Sequence, residues 1–223
     1  MGASGGFPID LILFGMIAAF LVLRLKSILG KRTGFERPSQ PTQPRVVPPT
    51  PAAAQARDAA PAAAVSQRTV PEPLSALGQT LARMATISRD FEPGAFLDGA
   101  EKAFKIIVQA FAAGDRATLR PLLGDDTWKA FDLAIAEREK AGNTQVTEVR
   151  AIQNIAIETA ELTGTVASIG VHIVSDQVNM TRTQSGQVIT GTDAVTEITD
   201  LWTFERDLAQ ASPIWHLVAA RSA

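Results

Sequence analysis

Cysteine is absent from this 223-residue chain, and histidine occurs only at His172 and His216. The lack of cysteine excludes disulfides, thiol catalysis and cysteine-based metal sites. The sequence has no Gly-x-Ser-x-Gly motif, no His-Glu-x-x-His motif and no complete phosphate-binding loop. A formal net charge of -2 argues against a nucleic-acid partner, which would require a basic surface. We therefore expect no metal, no cofactor and no nucleic acid, and we interpret both histidines as structural.

Charge is also nearly missing from residues 7–23, where Asp10 is the only charged residue. At ~1.5 Å per residue, a helix of this length spans roughly 25 Å, close to the thickness of the hydrocarbon core of a bilayer. A secretory signal peptide and a buried core helix are the alternatives. The signal peptide fits less well, because no basic residue precedes the run and no small-x-small cleavage site follows it. We predict that residues 1–33 form one transmembrane anchor.

Four basic residues follow the apolar run, namely Arg24, Lys26, Lys31 and Arg32. Positive charge favours the cytoplasmic side of a membrane, so the N-terminus is expected outside and the rest of the chain in the cytoplasm. The same four side chains are expected to contact anionic lipid at the membrane surface.

Residues 34–73 hold nine of the thirteen prolines and little that could be buried, which predicts a disordered linker. Residues 74–90 are predicted to form an amphipathic helix. Its apolar positions recur at spacings of three and four: Leu74, Leu77, Leu81, Met84 and Ile87. We expect this helix to associate loosely with the domain behind it, although a membrane or a partner could also cover it.

The hydrophobic period in residues 91–223 changes from about 3.6 to 2 near Gly142, which predicts helices first and strands afterwards. Strands are expected at residues 146–157, 165–180, 194–206 and 214–219, with a bulge in the first and a short extra segment at 188–189. Together these elements predict an α+β domain in which the helices cover one face of an antiparallel sheet of about four strands.

The stretch Asp-Leu-Trp-Thr-Phe-Glu-Arg-Asp at residues 200–207 is predicted to be a central strand, with Trp202 and Phe204 on the same face. The large apolar side chains of the helices and of this strand have two interpretations: they line a pocket between the helices and the sheet, or they form an ordinary core. The candidate pocket residues are Phe104, Ile107, Phe111, Trp128, Phe131, Trp202 and Phe204. Asp200 and Glu205 are candidate general bases, or else part of a salt-bridged strand end.

Two stretches carry a family resemblance: the helical pattern from Gly99 to Asp115, and the run at 200–207 followed by Trp215. Together they resemble the Tim44-like domain, the C-terminal part of the mitochondrial inner-membrane import-motor scaffold. The anchor and the proline-rich linker are similar to those of bacterial TimA-type membrane-anchored adaptors. The resemblance implies a cystatin- or NTF2-like fold with a curved sheet and a large apolar pocket. It also implies contact with anionic lipid such as cardiolipin, and a scaffold role at a bacterial inner membrane.

We therefore expect a membrane-anchored, non-enzymatic adaptor at the cytoplasmic face of the inner membrane. Its partners would be membrane or translocating client proteins and anionic lipid, and its role would lie in protein translocation or membrane-protein assembly. Two alternatives remain open. One is an NTF2-like small-molecule enzyme that uses Asp200 and Glu205, and the other is a pure lipid-binding module. Chaperone recruitment by the mitochondrial scaffold is not expected here, because that function belongs to its N-terminal part.

Overall fold

The computed structural model of the protein describes residues 66–222. The predicted anchor at 1–33, its basic residues Arg24, Lys26, Lys31 and Arg32, and the predicted linker up to residue 65 therefore lie outside the described residues. The described helices are α1 (Ala76–Ile87), α2 (Pro93–Ala113), α3 (Arg116–Leu119) and α4 (Asp125–Lys140), with a 3-10 turn at Arg120–Leu122. The described strands are β1 (Gln67–Thr69), β2 (Thr144–Thr163), β3 (Val166–Arg182), β4 (Val188–Asp207) and β5 (His216–Ser222). Within residues 66–222, no helix combines the length and the hydropathy that a membrane span requires.

Helix α1 is an integral part of the domain. It begins after Ser75, whose hydroxyl oxygen accepts a hydrogen bond from the backbone N–H of Gly78 at 3.0 Å, as an N-cap residue does. Leu81 and Met84 are buried in the main core, and the helix contacts β2. The expected loose association is corrected by the burial of Leu81 and Met84, although Leu74 and Ile87 of the predicted stripe remain exposed.

Helix α2 lies across the sheet and contributes the largest buried stripe of any described helix. Its first turn is capped by the carboxylate of Glu92, which accepts hydrogen bonds from the N–H groups of Gly94 at 2.9 Å and Ala95 at 2.5 Å. It ends at Gly114, where φ is 73°, a conformation that glycine adopts without a steric penalty. Its fully buried residues form one face towards the sheet and are Phe96, Leu97, Ala100, Phe104, Ile107 and Ala110, while Phe111 is half-buried.

Two arginines join α4 to the elements before it, namely Arg116 from α3 and Arg138 from α4 itself. Arg116 donates from Nη1 and Nη2 to the carboxylate of Glu139 at 2.8 and 2.9 Å, and from Nε to Asp132 at 2.6 Å. Arg138 donates from Nη2 to the carbonyl oxygen of Phe111 at 2.6 Å. Bidentate arginine–carboxylate contacts fix direction as well as distance, so the Arg116 contact orients α3 on α4, and the Arg138 bond joins α4 to the end of α2.

The sheet has the strand order β1-β2-β3-β4-β5. Strands β2 to β5 pair antiparallel, as predicted, whereas β1 pairs parallel with β2 through Gln67 and Asn154. The prediction of about four antiparallel strands is therefore corrected to a mixed sheet of five. The extra strand, β1, lies in the stretch predicted as linker. Its three polar residues have no hydrophobic periodicity, and they form a strand only by pairing with the edge of β2, which is distant in the sequence.

The centre of the sheet is β3, and the predicted central stretch 200–207 belongs to its neighbour β4. The inward side chains of β3 at Ala167, Ile169, Val171 and Ile173 have no solvent exposure. Strand β4 runs unbroken from Val188 to Asp207 rather than as two segments. A register shift opposite Gln177 and Asn179 absorbs the extra residues, and three such shifts in β2 confirm the predicted bulge. Bulges of this kind bend and twist a strand.

Substitution of Met84 tests whether α1 belongs to the domain. The Met84→Ala variant should lower the free energy of unfolding by ~2–5 kcal/mol, because it leaves a cavity in a fully buried position. Denaturant unfolding followed by circular dichroism would measure the change. Leu74→Ala provides the control, since Leu74 is 90% exposed, and its effect should stay within ~0.5 kcal/mol. Equal effects of the two substitutions would contradict the docking of α1.

Candidate ligand pocket

An apolar cavity of about 190 Å³ lies between helices α2 and α4 and the sheet, and we call it the helix–sheet pocket. The rings of Phe111 and Phe131 meet across the two helices, with centroids 4.8 Å apart and planes at 68°. Edge-to-face contacts of this type are favourable for aromatic rings. The apolar wall consists of Ile107, Val108, Phe111, Ala130, Phe131, Ala134, Ile198, Trp202 and Ala220.

A band of polar side chains on β2 and β3 forms another part of the wall. It includes Gln145, Thr147, Gln177 and Asn179. The amide of Gln145 donates to Thr147 Oγ1 at 3.2 Å and accepts from Arg138 Nη1 at 2.6 Å. These bonds hold the amide in one orientation, so the pocket presents fixed hydrogen-bonding groups beside its apolar surface.

Asp200 is the one acidic side chain in the wall of the helix–sheet pocket. It is 9% exposed, and its Oδ1 accepts a hydrogen bond from the hydroxyl of Ser222 on β5 at 2.7 Å. No lysine or arginine within residues 66–222 forms an ion pair with it. Burial raises the pKa of Asp200 to about 6, and the hydrogen bond from Ser222 opposes this rise. A carboxyl group with this pKa can hold or release a proton near neutral pH.

Four of the seven predicted pocket residues line the helix–sheet pocket, namely Ile107, Phe111, Phe131 and Trp202. Phe104 lies behind the wall, fully buried, with its ring centroid 4.7 Å from that of Trp202. Phe204 lines a separate cavity near Phe96 and Trp215.

Trp128 lines neither of these cavities. It is half-buried at the start of α4, and the guanidinium carbon of Arg120 lies 5.7 Å from its ring centroid. Phe131 lies one turn after Trp128 on α4 and lines the pocket, whereas Trp128 faces the 3-10 turn instead.

The candidate base Glu205 does not reach the pocket. It is exposed on the face of β4 opposite to Asp200, beside Ser168 and His216 on the adjacent strands. The two carboxylates therefore cannot act on one bound molecule, and the proposed acid–base pair is wrong on geometry. Among the described residues, His, Asp and Glu side chains form no group that could hold a metal ion.

Sequence reasoning did not identify the polar band. The signal was present in β3, where Ser175 and Gln177 continue the odd-numbered series of Val171 and Ile173. Alternation places all of them on the same face, and the structure buries Ser175 and Gln177 there, with Gln177 Nε2 donating to Ser175 Oγ at 2.9 Å. Polar residues in register with a buried series therefore indicate a functional or hydrogen-bonded position within the core.

The helices and the sheet together define a class of α+β domain, in which helices cover one face of a bulged, mostly antiparallel sheet and enclose a cavity. The model of the Tim44-like domain family matches residues 77–222, and the chain belongs to this family. The match begins inside α1, in agreement with the burial of that helix. Tim44-like domains generally act in membrane-associated protein translocation, as scaffolds that interact with membranes and other proteins.

Among solved structures, the crystal structure of the intermembrane space region of the chloroplast protein ARC6 is similar to this chain. The identity is 11% and the TM-score 0.42, over 56% of this chain and 95% of that chain. No curated protein sequence matches the chain.

The buried carboxyl group generates a prediction about pH. The pKa of Asp200 is higher in the folded state than in the unfolded state, so its protonation favours folding at low pH, and this contribution is lost as the pH rises from about 4 through about 6. The Asp200→Asn variant keeps an acceptor for Ser222 without the buried charge. It should be more stable than the wild type at pH 7, by up to ~3 kcal/mol, and the gain should shrink towards pH 4.

Denaturant unfolding between pH 4 and pH 8 measures this difference. Asp193→Asn is the matched control, because Asp193 lies exposed on the same strand, and its stability should follow that of the wild type at every pH. If the Asp200→Asn variant is no more stable than the wild type at pH 7, the surroundings of Asp200 stabilise its carboxylate enough to offset the cost of burial, and the prediction is wrong.

Proposed function

We propose that this protein is a membrane-anchored, non-enzymatic adaptor, whose Tim44-like domain holds an apolar side chain of a client polypeptide in the helix–sheet pocket. The observation that carries the proposal is the apolar wall formed by Ile107, Phe111, Phe131 and Trp202 around about 190 Å³. Small-molecule sites usually enclose roughly 300–1,000 Å³. The smaller volume suits one bulky side chain of a peptide better than a whole lipid or a metabolite.

The polar band gives this pocket a way to hold the backbone of a client. Gln145, Gln177 and Asn179 present amide groups next to the apolar wall, and amides both donate and accept hydrogen bonds. An extended client segment could insert one apolar side chain and satisfy its neighbouring peptide groups on this band. Such a site would accept many sequences, as an adaptor for varied membrane proteins requires.

Position at the membrane follows from the N-terminal sequence. The apolar run at 7–23 would anchor the chain in a bacterial inner membrane with its N-terminus outside, and the basic residues Arg24, Lys26, Lys31 and Arg32 would bind anionic lipid such as cardiolipin. A linker of ~30–40 residues has a root-mean-square span of roughly 35 Å. The domain would thus search for clients close to the cytoplasmic surface, where tethering raises its effective concentration.

One observation favours a second candidate function. Asp200 has a pKa of about 6 in an apolar pocket, and general bases of small isomerases have similar surroundings. Under this alternative Asp200 acts as a general base without Glu205. The Asp200→Asn variant would then lose the enzymatic activity but would still bind client polypeptides.

Filling the pocket tests the adaptor function in cells. A photo-crosslinking phenylalanine analogue at Phe131 should form adducts with membrane or nascent polypeptides, and the added Ala134→Phe substitution should abolish them, because Ala134 lines the same pocket. Ala136→Phe is the matched control on the exposed face of α4 and should leave the adducts unchanged. Mass spectrometry of the adducts provides the measurement.

The other outcomes of this experiment are equally informative. Adducts that contain only lipid would support the lipid-binding module and remove the adaptor function. Protein adducts that persist in the Ala134→Phe variant would show that clients contact the domain outside the helix–sheet pocket.

Topology can be measured without background, because the chain has no cysteine. A membrane-impermeant maleimide should label Ser4→Cys in intact spheroplasts and should label Leu74→Cys only after the inner membrane is permeabilised. Leu74 is 90% exposed, so poor labelling would not result from burial. Labelling of Leu74→Cys in intact spheroplasts would place the domain on the outer side.

A further inference from the structure

A second cavity, of about 420 Å³, lies at the N-terminal half of α2, and we call it the aromatic cavity. The rings of Phe96 and Trp215 meet in its wall with centroids 4.8 Å apart, and Phe96 contacts Phe204 edge-on at 6.1 Å. Its volume is within the range of roughly 300–1,000 Å³ that is usual for small-molecule sites, and it is larger than the helix–sheet pocket.

The aromatic cavity contains an arginine that the protein itself does not satisfy. Arg206 lies on the helix-facing side of β4, next to Phe204 in alternation, and lines the cavity. Its Nε is buried and has no acceptor, and no hydrogen bond or ion pair from its side chain to residues 66–222 is formed. A guanidinium remains charged at all relevant pH values, and the N–H donors of Nη1 and Nη2 are not engaged by acceptors within residues 66–222, so they are available to a bound anion.

The other half-buried arginines within residues 66–222 all have acceptors for their side chains, which makes the unpaired guanidinium of Arg206 unusual. Arg116 pairs with Asp132 and Glu139, and Arg138 donates to Gln145 and to main-chain carbonyls. A partly buried guanidinium without acceptors is unfavourable, and the fold has arranged partners in both of those cases. Arg206 receives none, although it lies beside the larger of the two cavities.

Two acidic residues at the same cavity restrict the charge of its ligand. Asp90 and Glu92 line it, but neither forms an ion pair with Arg206. The carboxylate of Glu92 is occupied by the N–H groups of Gly94 and Ala95, which hold its pKa below the usual value and keep it charged. Repulsion from these carboxylates disfavours a doubly charged group more than a singly charged one.

We propose that the aromatic cavity is a second binding site, which takes a small apolar monocarboxylic acid. The carboxylate pairs with the guanidinium of Arg206, and the apolar body packs between Phe96, Phe204 and Trp215. Planar arginine–carboxylate pairing supplies direction, and the rings supply contact area. The site differs from the helix–sheet pocket in location and in volume, and it does not depend on the adaptor function.

The test uses three probes that share one ring system: 2-naphthoate, its neutral amide 2-naphthamide, and 2-naphthyl phosphate. Calorimetry on the full-length chain in nanodiscs, with empty nanodiscs as the blank, should show that naphthoate binds more tightly than either of the others. In the Arg206→Gln variant, naphthoate should bind about 10- to 100-fold more weakly, as expected for the loss of a charge-assisted hydrogen bond. The affinity for the amide should not change.

A steric variant tests the site without touching Arg206. Gly99 lines the cavity from α2, and a Cβ added there meets nothing within 4 Å, so Gly99→Phe should fold normally and block all three probes. Gln109→Phe, exposed on the same helix and outside both cavities, should bind like the wild type. Unfolding temperatures of all variants verify that they are folded.

Three results would overturn the proposal: equal affinity for naphthoate and its amide, tighter binding of the phosphate, or unchanged naphthoate binding in Gly99→Phe. If Arg206→Gln does not fold, the comparison of Gly99→Phe with Gln109→Phe still decides whether the acid binds in this cavity.

Discussion

The contact between α2 and β4 is the interaction on which the other parts of the domain depend. Phe104 packs on Trp202 with ring centroids 4.7 Å apart, and Phe96 packs on Phe204 at 6.1 Å. These aromatic pairs bury large apolar areas and have preferred ring geometries, so they set both the position and the direction of the helix on the sheet. Helix α4 is then placed relative to α2 by the hydrogen bonds of Arg138.

The same contact divides the space under the helices. On β4, the helix-facing side chains are, in order, Asp200, Trp202, Phe204 and Arg206. Asp200 and Trp202 line the helix–sheet pocket, and Phe204 and Arg206 line the aromatic cavity. A single strand face thus places a carboxyl group at one cavity and a guanidinium cation at the other, with Trp202 and Phe204 between them. Neither the carboxyl group of Asp200 nor the guanidinium group of Arg206 has an ion-pair partner within residues 66–222. Such groups are more typical of binding sites than of a stabilising core.

Membership of the Tim44-like family accounts for the layered fold, but it does not by itself explain these charges. A purely structural domain gains stability when buried charges are replaced by apolar groups or are fully paired. Within residues 66–222, an apolar pocket beside the buried Asp200 and a second cavity beside the unpaired Arg206 are the features from which we propose two recognition sites.

Much of the fold is predictable because the signals are local. The stripe from Phe96 to Phe111, the glycine end at Gly114, the change of period near Gly142 and the shared face of Trp202 and Phe204 are each recorded within a few residues. The parallel pairing of Gln67–Thr69 with β2 is different, because those residues have no periodicity and their partners lie more than eighty positions away along the chain. Docking of α1 likewise depends on a groove formed by residues from distant segments.

The sequence alone therefore determined the family, the order of the helices and of strands β2 to β5, and the side of β4 that is buried, since capping, glycine conformation and hydrophobic period act between neighbours. Only the tertiary structure decided which apolar residues line a void and which fill the core: Phe104 and Phe131 have the same character, yet one is buried and the other borders a pocket. It also decided that Asp200 lies against Ser222 while Arg206 has no acceptor. Burial and pairing arise from segments that meet only after folding, so no local pattern encodes them.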